Sequence, residues 1–297
     1  MPRIERRLPR PTPLEIAVIG AGQVGGALGR ALRAGGLKPK VLSWRKGLPR
    51  TLGRPDLILI CVRDEQIRDV TQMLLRLGLP AATVIAHVSG VQGPEILGSL
   101  RSTCRGVAQF HPFSSIRSVG RRDFHGTHFL ATGDTPAIRI LGRVARQLGA
   151  TLVRGEHVDR ARYHLAAALL ANGSVALLHA AAQLLQESGI EAKKAVPMLL
   201  DLQRSVIDNA TRLGIPAALT GPVRRGDVAT IRAHVNALRG AAASTRELYR
   251  TIVEAQIEIV RKLDDVEPAA LANIRRLVMH ALDVSPAASA PTRSRLS

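Results

Sequence analysis

A glycine-rich hexapeptide near the N-terminus connects the first apolar run of the chain to a helical pattern. It comprises Gly20, Ala21, Gly22, Gln23, Val24 and Gly25. In this pattern the first glycine allows a tight turn, the second lets the backbone approach a pyrophosphate, and the third lets helix and strand pack closely. The N-terminus of the following helix stabilises negative charge. The spacing predicts a dinucleotide site; the alternative is a turn of an α/β sheet that binds nothing.

The segment after the second predicted strand indicates which dinucleotide would bind. A site for NAD places an acidic residue about 20 residues after the glycines, where it holds the ribose hydroxyls. Here the chain has no acid but has Ser43, Trp44, Arg45 and Lys46. A guanidinium pairs with a 2′-phosphate through two hydrogen bonds, a lysine adds charge, and Trp44 could lie over the adenine. These residues predict NADP(H). The alternatives are that the site binds a deazaflavin cofactor, or that Arg45 and Lys46 are solvated surface residues without a ligand.

The end of the third predicted strand supplies the other half of the cofactor site. Cys61 and Val62 end the apolar run 56–62, and Arg63 follows it. Ligands of open α/β sheets bind beyond the carboxyl ends of the strands. We therefore expect these three residues to line the crevice beside the nicotinamide.

Two later strands, 83–89 and 106–112, end in residues that could hold a substrate. Ser89 and Gly90 offer a hydroxyl and backbone N–H groups to a carboxylate. His111 could hydrogen-bond the substrate or position the dinucleotide. The alternatives are an ordinary strand-to-loop turn and a histidine whose ring is satisfied by the backbone.

A long helical pattern that begins near Asp159 carries the candidates for proton transfer. His164 could give a proton near neutral pH to the alkoxide that forms when hydride reaches a carbonyl. Asn172 lies eight residues on, about 80° around and about 12 Å along the helix. Both side chains reach one carbonyl only if they are extended or a ligand lies between them. The alternative is that both satisfy polar groups of a helical core.

The loop 215–227, which includes the sequence LTGPVRRGD, has more charge and glycine than a plain linker needs. Arg225 offers an anion contact, and Asp227 could cap the next helix and fix an arginine. The loop is predicted to close on a substrate as a lid, or to be a structural connection between helices.

Strand and helix patterns alternate along the first half of the chain. Alternation of this kind predicts an α/β domain with a mostly parallel sheet, and the all-helical pattern after about residue 156 predicts a second domain. We expect disorder in 1–13, the dinucleotide domain in 14–155, a helical substrate and dimerisation domain in 156–266, and a short helix with a disordered tail in 267–297.

The composition combines a formal net charge of +19 with only 2% aromatic residues. The positive charge could indicate an anionic partner or a bias toward arginine. Scarce aromatic residues disfavour single-stranded nucleic acid, which needs stacking platforms. Two cysteines form neither a disulfide framework nor a metal site, and the basic N-terminus lacks the apolar stretch of a secretory signal, so we expect a cytoplasmic protein.

The segment 163–185 contains no charged residue and is long enough to span a membrane. It also contains several polar residues, among them His164, Asn172 and Gln183. The sequence therefore favours a core helix or a homodimer helix over a membrane span.

A set of short motifs over residues 14–265 resembles a known protein group. The motifs are His87-Val88-Ser89-Gly90, His111-Pro112-Phe113, Tyr163-His164, Asn172, Leu219-Thr220-Gly221-Pro222, Arg225-Gly226-Asp227 and His234. The chain is similar to Rossmann-like oxidoreductases with a C-terminal domain of unknown function 2520, within the 6-phosphogluconate dehydrogenase-like and ketopantoate reductase-like superfamily. In that superfamily the long helix carries a lysine as general acid; here that lysine is missing.

The residues and the resemblance together lead to one expected function. It is hydride transfer between NADP(H) and a small keto or hydroxy acid bound between the two domains, with Ser89, His164 and Asn172 as catalytic residues and Gly90, His111, Arg225 and Asp227 as further substrate contacts. The best single substrate is 2-dehydropantoate. The alternatives are an imine reductase of the pyrroline-5-carboxylate type and a dinucleotide-binding regulatory protein without turnover.

Overall fold

The computed structural model describes residues 14–116 and 124–282. Both predicted disordered segments, 1–13 and the tail 285–297, lie outside the described residues. The first half of the chain forms a seven-stranded sheet over these residues. Its strands are β1 (Ile16–Ile19), β2 (Lys40–Leu42), β3 (Leu57–Ile60), β4 (Val84–His87), β5 (Gly106–Pro112), β6 (His128–Gly133) and β7 (Thr151–Arg154).

The spatial order of the strands is β2-β1-β3-β4-β5-β6-β7. Neighbouring strands are parallel except β5 and β6, which are antiparallel. The segment between these two strands carries no helical pattern in the sequence, and an antiparallel pair needs no crossover helix. The carboxyl ends of β1 to β5 therefore share one edge of the sheet, together with the starts of β6 and β7.

Three helices cover the sheet: α1 (Gln23–Ala34), α2 (Ile67–Leu77) and α3 (Thr135–Gln147). Every residue of β1, β3 and β4 is buried, because these strands have helices or further chain on both faces. Leu28 of α1 and Leu141 of α3 belong to the core on one face, and Val70 of α2 belongs to the core on the other.

After β7 the chain is helical. The helices are α4 (Arg160–Glu187), α5 (Ala192–Leu213), α6 (Ile215–Ala218), α7 (Val228–Ala237), α8 (Ala243–Arg261) and α9 (Pro268–Leu282). Ile231, Ile257 and Ile274 lie in a core that α7, α8 and α9 share. The predicted fold class, an α/β Rossmann-type domain with a mostly parallel sheet followed by a helical part, is confirmed.

The chain divides into two compact units between Asn172 and Gly173, inside α4. The first part of α4 thus belongs to the unit that contains the sheet. The predicted domain limits, 14–155 and 156–266, stay a prediction. Within the residues of α4, only Ala180 and Ala182 are buried, so the expectation of a helix buried in the core of one chain does not describe it.

Candidate functional site

A cavity of about 610 Å³ opens at the carboxyl ends of β1, β2 and β3. Eleven of the thirteen residues predicted to bind the cofactor line it. The lining residues are Gly20, Ala21, Gly22, Gln23, Val24, Ser43, Trp44, Arg45, Cys61, Val62 and Arg63, together with Gln66 and Val88. The sequence interpretation missed the last two, although Gln66 follows the predicted strand 56–62 by four residues and Val88 lies near the end of the predicted strand 83–89.

The three glycines of the hexapeptide have different reasons to be glycine. A Cβ atom at Gly20, where φ is +112°, would lie 2.2 Å from the carbonyl oxygen of Cys61. A Cβ atom at Gly25 would lie 1.8 Å from the carbonyl oxygen of Gly20, so only a glycine lets α1 pack this closely against the turn. A Cβ atom at Gly22 would meet nothing within 4 Å. Its open side is the place where a pyrophosphate can approach the backbone.

The far end of the cavity is cationic. Trp44, Arg45 and Lys46 form a short 3₁₀ turn directly after Ser43. Trp44 packs against the core beneath it, while Arg45 and Lys46 are exposed, and Lys46 does not line the cavity. Within the described part of the chain, no carboxylate lines the cavity and no acid pairs with Arg45. The other cation that lines the cavity, Arg63, lies 3.9 Å from Glu65.

The turn after β4 holds Ser89 in a backbone frame. The Ser89 hydroxyl oxygen accepts hydrogen bonds from the backbone N–H groups of Val91 (3.2 Å) and Gln92 (3.0 Å). The hydroxyl is therefore fixed by its own turn, as in a local side-chain cap. These bonds do not use the hydroxyl proton of Ser89, which could therefore be donated to a substrate.

Three rings and one glycine meet where β5 ends and α4 begins. Nδ1 of His111 lies 2.9 Å from the hydroxyl oxygen of Tyr163, and the ring centroids of His111 and His164 are 6.3 Å apart. A Cβ atom at Gly90 would lie 2.7 Å from Cδ2 of His164 and 2.8 Å from Nε2 of His111. The absence of a side chain at Gly90 therefore lets both imidazoles approach the turn that follows Val88.

Burial sets the protonation of this cluster. Burial, and to a smaller extent the neighbouring His164, lower the pKa of His111 to about 4. Burial raises the pKa of Tyr163 to about 12. His111 is thus a neutral imidazole near pH 7, and Tyr163 is a neutral phenol that still carries its proton. Beyond Tyr163 lies a small cavity of about 200 Å³, lined mainly by Phe113, Leu130, Val153 and Ala166.

A buried polar network, which the sequence interpretation missed, connects this cluster to the sheet. Gln109 donates from Nε2 to the carbonyl oxygen of Ser89 (2.8 Å) and accepts from Nε of Arg160 (3.3 Å). Arg160 also lies 3.6 Å from Glu95. His87 accepts the N–H of Ser89 at Nδ1, and burial lowers its pKa. Polar residues inside the predicted strands 83–89 and 106–112 were the signal that could have found this network.

The remaining predicted site residues lie apart from this cluster. Asn172 is exposed on α4, two turns beyond His164. Arg225 is exposed in a 3₁₀ turn, and Asp227 caps α7 by accepting the N–H of Thr230 at 3.0 Å. This bond and that of the Thr230 hydroxyl lower the pKa of Asp227. The capping role predicted for Asp227 thus has a geometric basis, and the substrate roles of all three residues stay predictions.

Part of the chain matches a protein family. Residues 127–256 match the family described as a domain of unknown function, DUF2520. No curated protein matches the chain. The matched segment begins directly before β6 and ends in α8, so the glycine turn lies outside it.

Solved structures with the same fold cover nearly the whole chain. Protein TM1727 from Thermotoga maritima is 21% identical, with a TM-score of 0.64 over 84% of this chain and 99% of that one. BF3122 from Bacteroides fragilis, described as an NADP oxidoreductase, is 18% identical, with a TM-score of 0.66 over 82% and 98%. A pyrroline carboxylate reductase from Plasmodium falciparum with NADP bound is 9% identical, with a TM-score of 0.54 over 89% and 98%.

Proposed function

We propose that the protein is a Rossmann-like oxidoreductase that uses NADP(H). The observation that carries this proposal is the cavity at the strand ends, which combines a glycine turn with the guanidinium of Arg45 and has no carboxylate among its described lining residues. Such a lining suits a dinucleotide with a 2′-phosphate. The similarity to an NADP oxidoreductase and to a reductase with NADP bound supports it.

Different residues of the cavity would contact different parts of the cofactor. Gly20 allows the turn, Gly22 leaves the backbone open to the pyrophosphate, and the N-terminus of α1 faces its charge. Arg45 pairs with the 2′-phosphate, and Cys61 and Val62 border the nicotinamide half. When bound, the cofactor supplies or accepts hydride at the nicotinamide C4.

The second requirement of such a reaction is a proton for the atom next to the carbon that receives hydride. The Tyr163 hydroxyl meets this requirement, because it is protonated near neutral pH and lies 2.9 Å from Nδ1 of His111. As the phenol proton leaves, the neutral imidazole of His111, when it carries its proton on Nδ1, can donate a hydrogen bond to the phenolate oxygen. His164, whose ring lies beside that of His111, is the alternative donor.

The substrate we propose is a small keto or hydroxy acid. The Ser89 hydroxyl and the Gly90 backbone suit its carboxylate, and the apolar cavity beyond Tyr163 suits a short alkyl group. 2-Dehydropantoate, which has both features, is the best single candidate. An imine of the pyrroline-5-carboxylate type is the second candidate, favoured by the similarity to a pyrroline carboxylate reductase.

The reaction is tested by the loss of NADPH absorbance with 2-dehydropantoate, pyruvate and pyrroline-5-carboxylate. Turnover of the first or third compound supports an oxidoreductase and chooses between a keto acid and an imine. Tight binding of NADPH without oxidation by any carbonyl or imine compound contradicts it and leaves a dinucleotide-binding regulatory protein.

The cofactor preference has its own test. We expect Arg45→Gln with Lys46→Gln to weaken NADPH binding by about 10- to 100-fold, the worth of one charge-assisted pairing, and to leave NADH binding nearly unchanged. Fluorescence titration with both cofactors measures this. Arg50→Gln, an exposed arginine outside the cavity, is the control for net charge. Equal losses for the two cofactors would show that these residues do not read the 2′-phosphate.

The proton donor is tested by a matched pair of tyrosines. We expect Tyr163→Phe to lower kcat by about 100-fold or more, because general acid catalysis is lost, and to leave the Kd for NADPH unchanged. Tyr249→Phe is the control, since its hydroxyl lies 2.9 Å from Nδ1 of His234 in the helical unit. An unchanged kcat in Tyr163→Phe, with a loss in His164→Gln, would move the role to His164.

We further propose a homodimer in the cytoplasm. The support is that α4 and α5 each carry large apolar side chains that are more than half exposed, among them Leu169 and Leu170 of α4 and Ile207 of α5. Among the described helices, α4 also has the length and composition to span a membrane. A second copy of the chain is the occupant that we favour, because His164, Asn172 and His179 interrupt the apolar surface of α4.

A further inference from the structure

A second cavity lies in the helical unit, between α7 and α9. Its volume is about 520 Å³, within the usual range for small-molecule sites. The lining residues are Val228, Arg232, Asn273, Arg276, Leu277 and His280. Val228 and Leu277 are half-buried, whereas the four polar residues are exposed. We call this cavity the α7–α9 groove; the cofactor cavity contains none of these residues.

The α7–α9 groove is rich in hydrogen-bond donors, and no carboxylate is among its described lining residues. Over the described ranges, Arg232 has no hydrogen-bonding or ionic partner, and Arg276 has only Oδ1 of Asn273, at 3.3 Å. That bond occupies the amide oxygen of Asn273 and keeps its Nδ2 hydrogens as donors. The groove thus presents two guanidinium groups, an amide and an imidazole.

Three other arginines of the same unit, in contrast, pair with carboxylates. Arg275, the residue before Arg276, donates to Glu254 at 3.0 Å. Arg224 pairs with Asp265 through both of its terminal nitrogens, and Arg250 pairs with Glu247. Arg232 and Arg276 differ from these three arginines, because over the described ranges no carboxylate pairs with either of them and both line one cavity.

We propose that the α7–α9 groove binds a small phosphate monoester with an apolar body. Two guanidinium groups match the double charge of a phosphate, since each can bind two of its oxygens at once. A monocarboxylate would leave one of the two cations without a partner. The side chains of Leu277 and Val228 offer the apolar body of the ligand a surface to cover.

The test is calorimetric titration of the full-length protein with phenyl phosphate at constant ionic strength. We expect Arg232→Gln and Arg276→Gln each to weaken binding by about tenfold or more. Arg275→Gln removes the same charge from the neighbouring position and is expected to bind within twofold of the unsubstituted protein. All three positions are exposed, and circular dichroism verifies that each variant is folded.

Two further ligands test the ligand class. Benzoate is expected to bind more weakly than phenyl phosphate because it carries one charge, and inorganic phosphate more weakly because it lacks the apolar body. Absence of binding by phenyl phosphate overturns the proposal, as does an equal loss in Arg275→Gln, which would indicate attraction to net charge only. Equal binding of benzoate or inorganic phosphate overturns the proposed phosphate monoester.

Discussion

At the scale of single residues, the protonation of His111 is the property on which the candidate site depends. Its Nδ1 lies 2.9 Å from the hydroxyl oxygen of Tyr163, and the imidazole is neutral near pH 7 because burial lowers its pKa to about 4. In an unfolded chain the same side chain has a pKa of 6.5. The unfolded state therefore binds this proton at a higher pH than the folded state does.

This difference predicts how stability depends on pH. The contribution of His111 is complete above pH 6.5 and is lost as the pH falls toward 4, by at most about 1.4 kcal/mol per pH unit. We expect His111→Gln to reduce the slope of unfolding free energy against pH in this window. Urea unfolding at several pH values measures it, with the exposed His179→Gln as control. Some dependence of the unfolding free energy on pH is expected to remain in His111→Gln, because burial also lowers the pKa of His87. Identical slopes in the two variants would contradict the prediction.

The residue scale also shows where the sequence was sufficient. The glycine hexapeptide and Arg45 were predicted because their chemistry depends on local spacing, and the structure brings them to one cavity. Tyr163 was named only as part of a motif, because its partner His111 is 52 residues away. Contacts between distant segments depend on strand order, which no local pattern records.

At the scale of elements, β4, β5 and α4 are joined by side chains rather than by backbone pairing alone. Gln109 of β5 is fully buried and connects the backbone of Ser89 to Arg160, the first residue of α4. The first turn of α4 also carries Tyr163 and His164. We infer that Gln109 and Arg160 are positioning residues for these rings, because they fix the start of the helix.

A substitution at Gln109 tests this inference. We expect Gln109→Met to lower stability by about 1 to 3 kcal/mol, since the Arg160 guanidinium loses an acceptor and the Ser89 carbonyl a donor. It is also expected to lower kcat by about tenfold, because misplaced groups react slowly, without changing the Kd for NADPH. The control is Gln147→Met, whose side chain donates to the carbonyl of Gly35 at the surface. A loss of stability with unchanged kcat would make Gln109 purely structural.

The elements themselves were largely predictable from sequence. Buried strands such as Leu57–Ile60 and amphipathic helices such as Thr135–Gln147 follow from apolar runs and helical periodicity. The antiparallel pairing of β5 with β6 was not predicted, because pairing direction depends on the connection and not on the strands. The sequence left open whether α4 is a core helix or a homodimer helix, since its apolar composition is typical of both.

At the scale of the whole molecule, α4 and α5 each carry large apolar side chains that are exposed to water. Leu169 and Leu170 are 73% and 70% exposed, and Ile207 of α5 is 57% exposed. Extended apolar surfaces of this kind mark an interface with protein or membrane. A membrane span would have to accommodate His164, Asn172 and His179, whereas the polar rim of a protein interface accepts such groups.

Light scattering distinguishes the two occupants of this surface. We expect the unsubstituted protein to have twice the chain mass of 31.8 kDa without detergent, and Leu169→Glu with Leu170→Glu to shift it toward one chain mass. Charges at these positions would be desolvated without partners in the interface, which opposes association. Met73→Glu changes an exposed apolar residue of α2 and is the control. Because a membrane helix would instead join lipid, flotation of the unsubstituted protein with vesicles would contradict the dimer, as would a monomer at micromolar concentration.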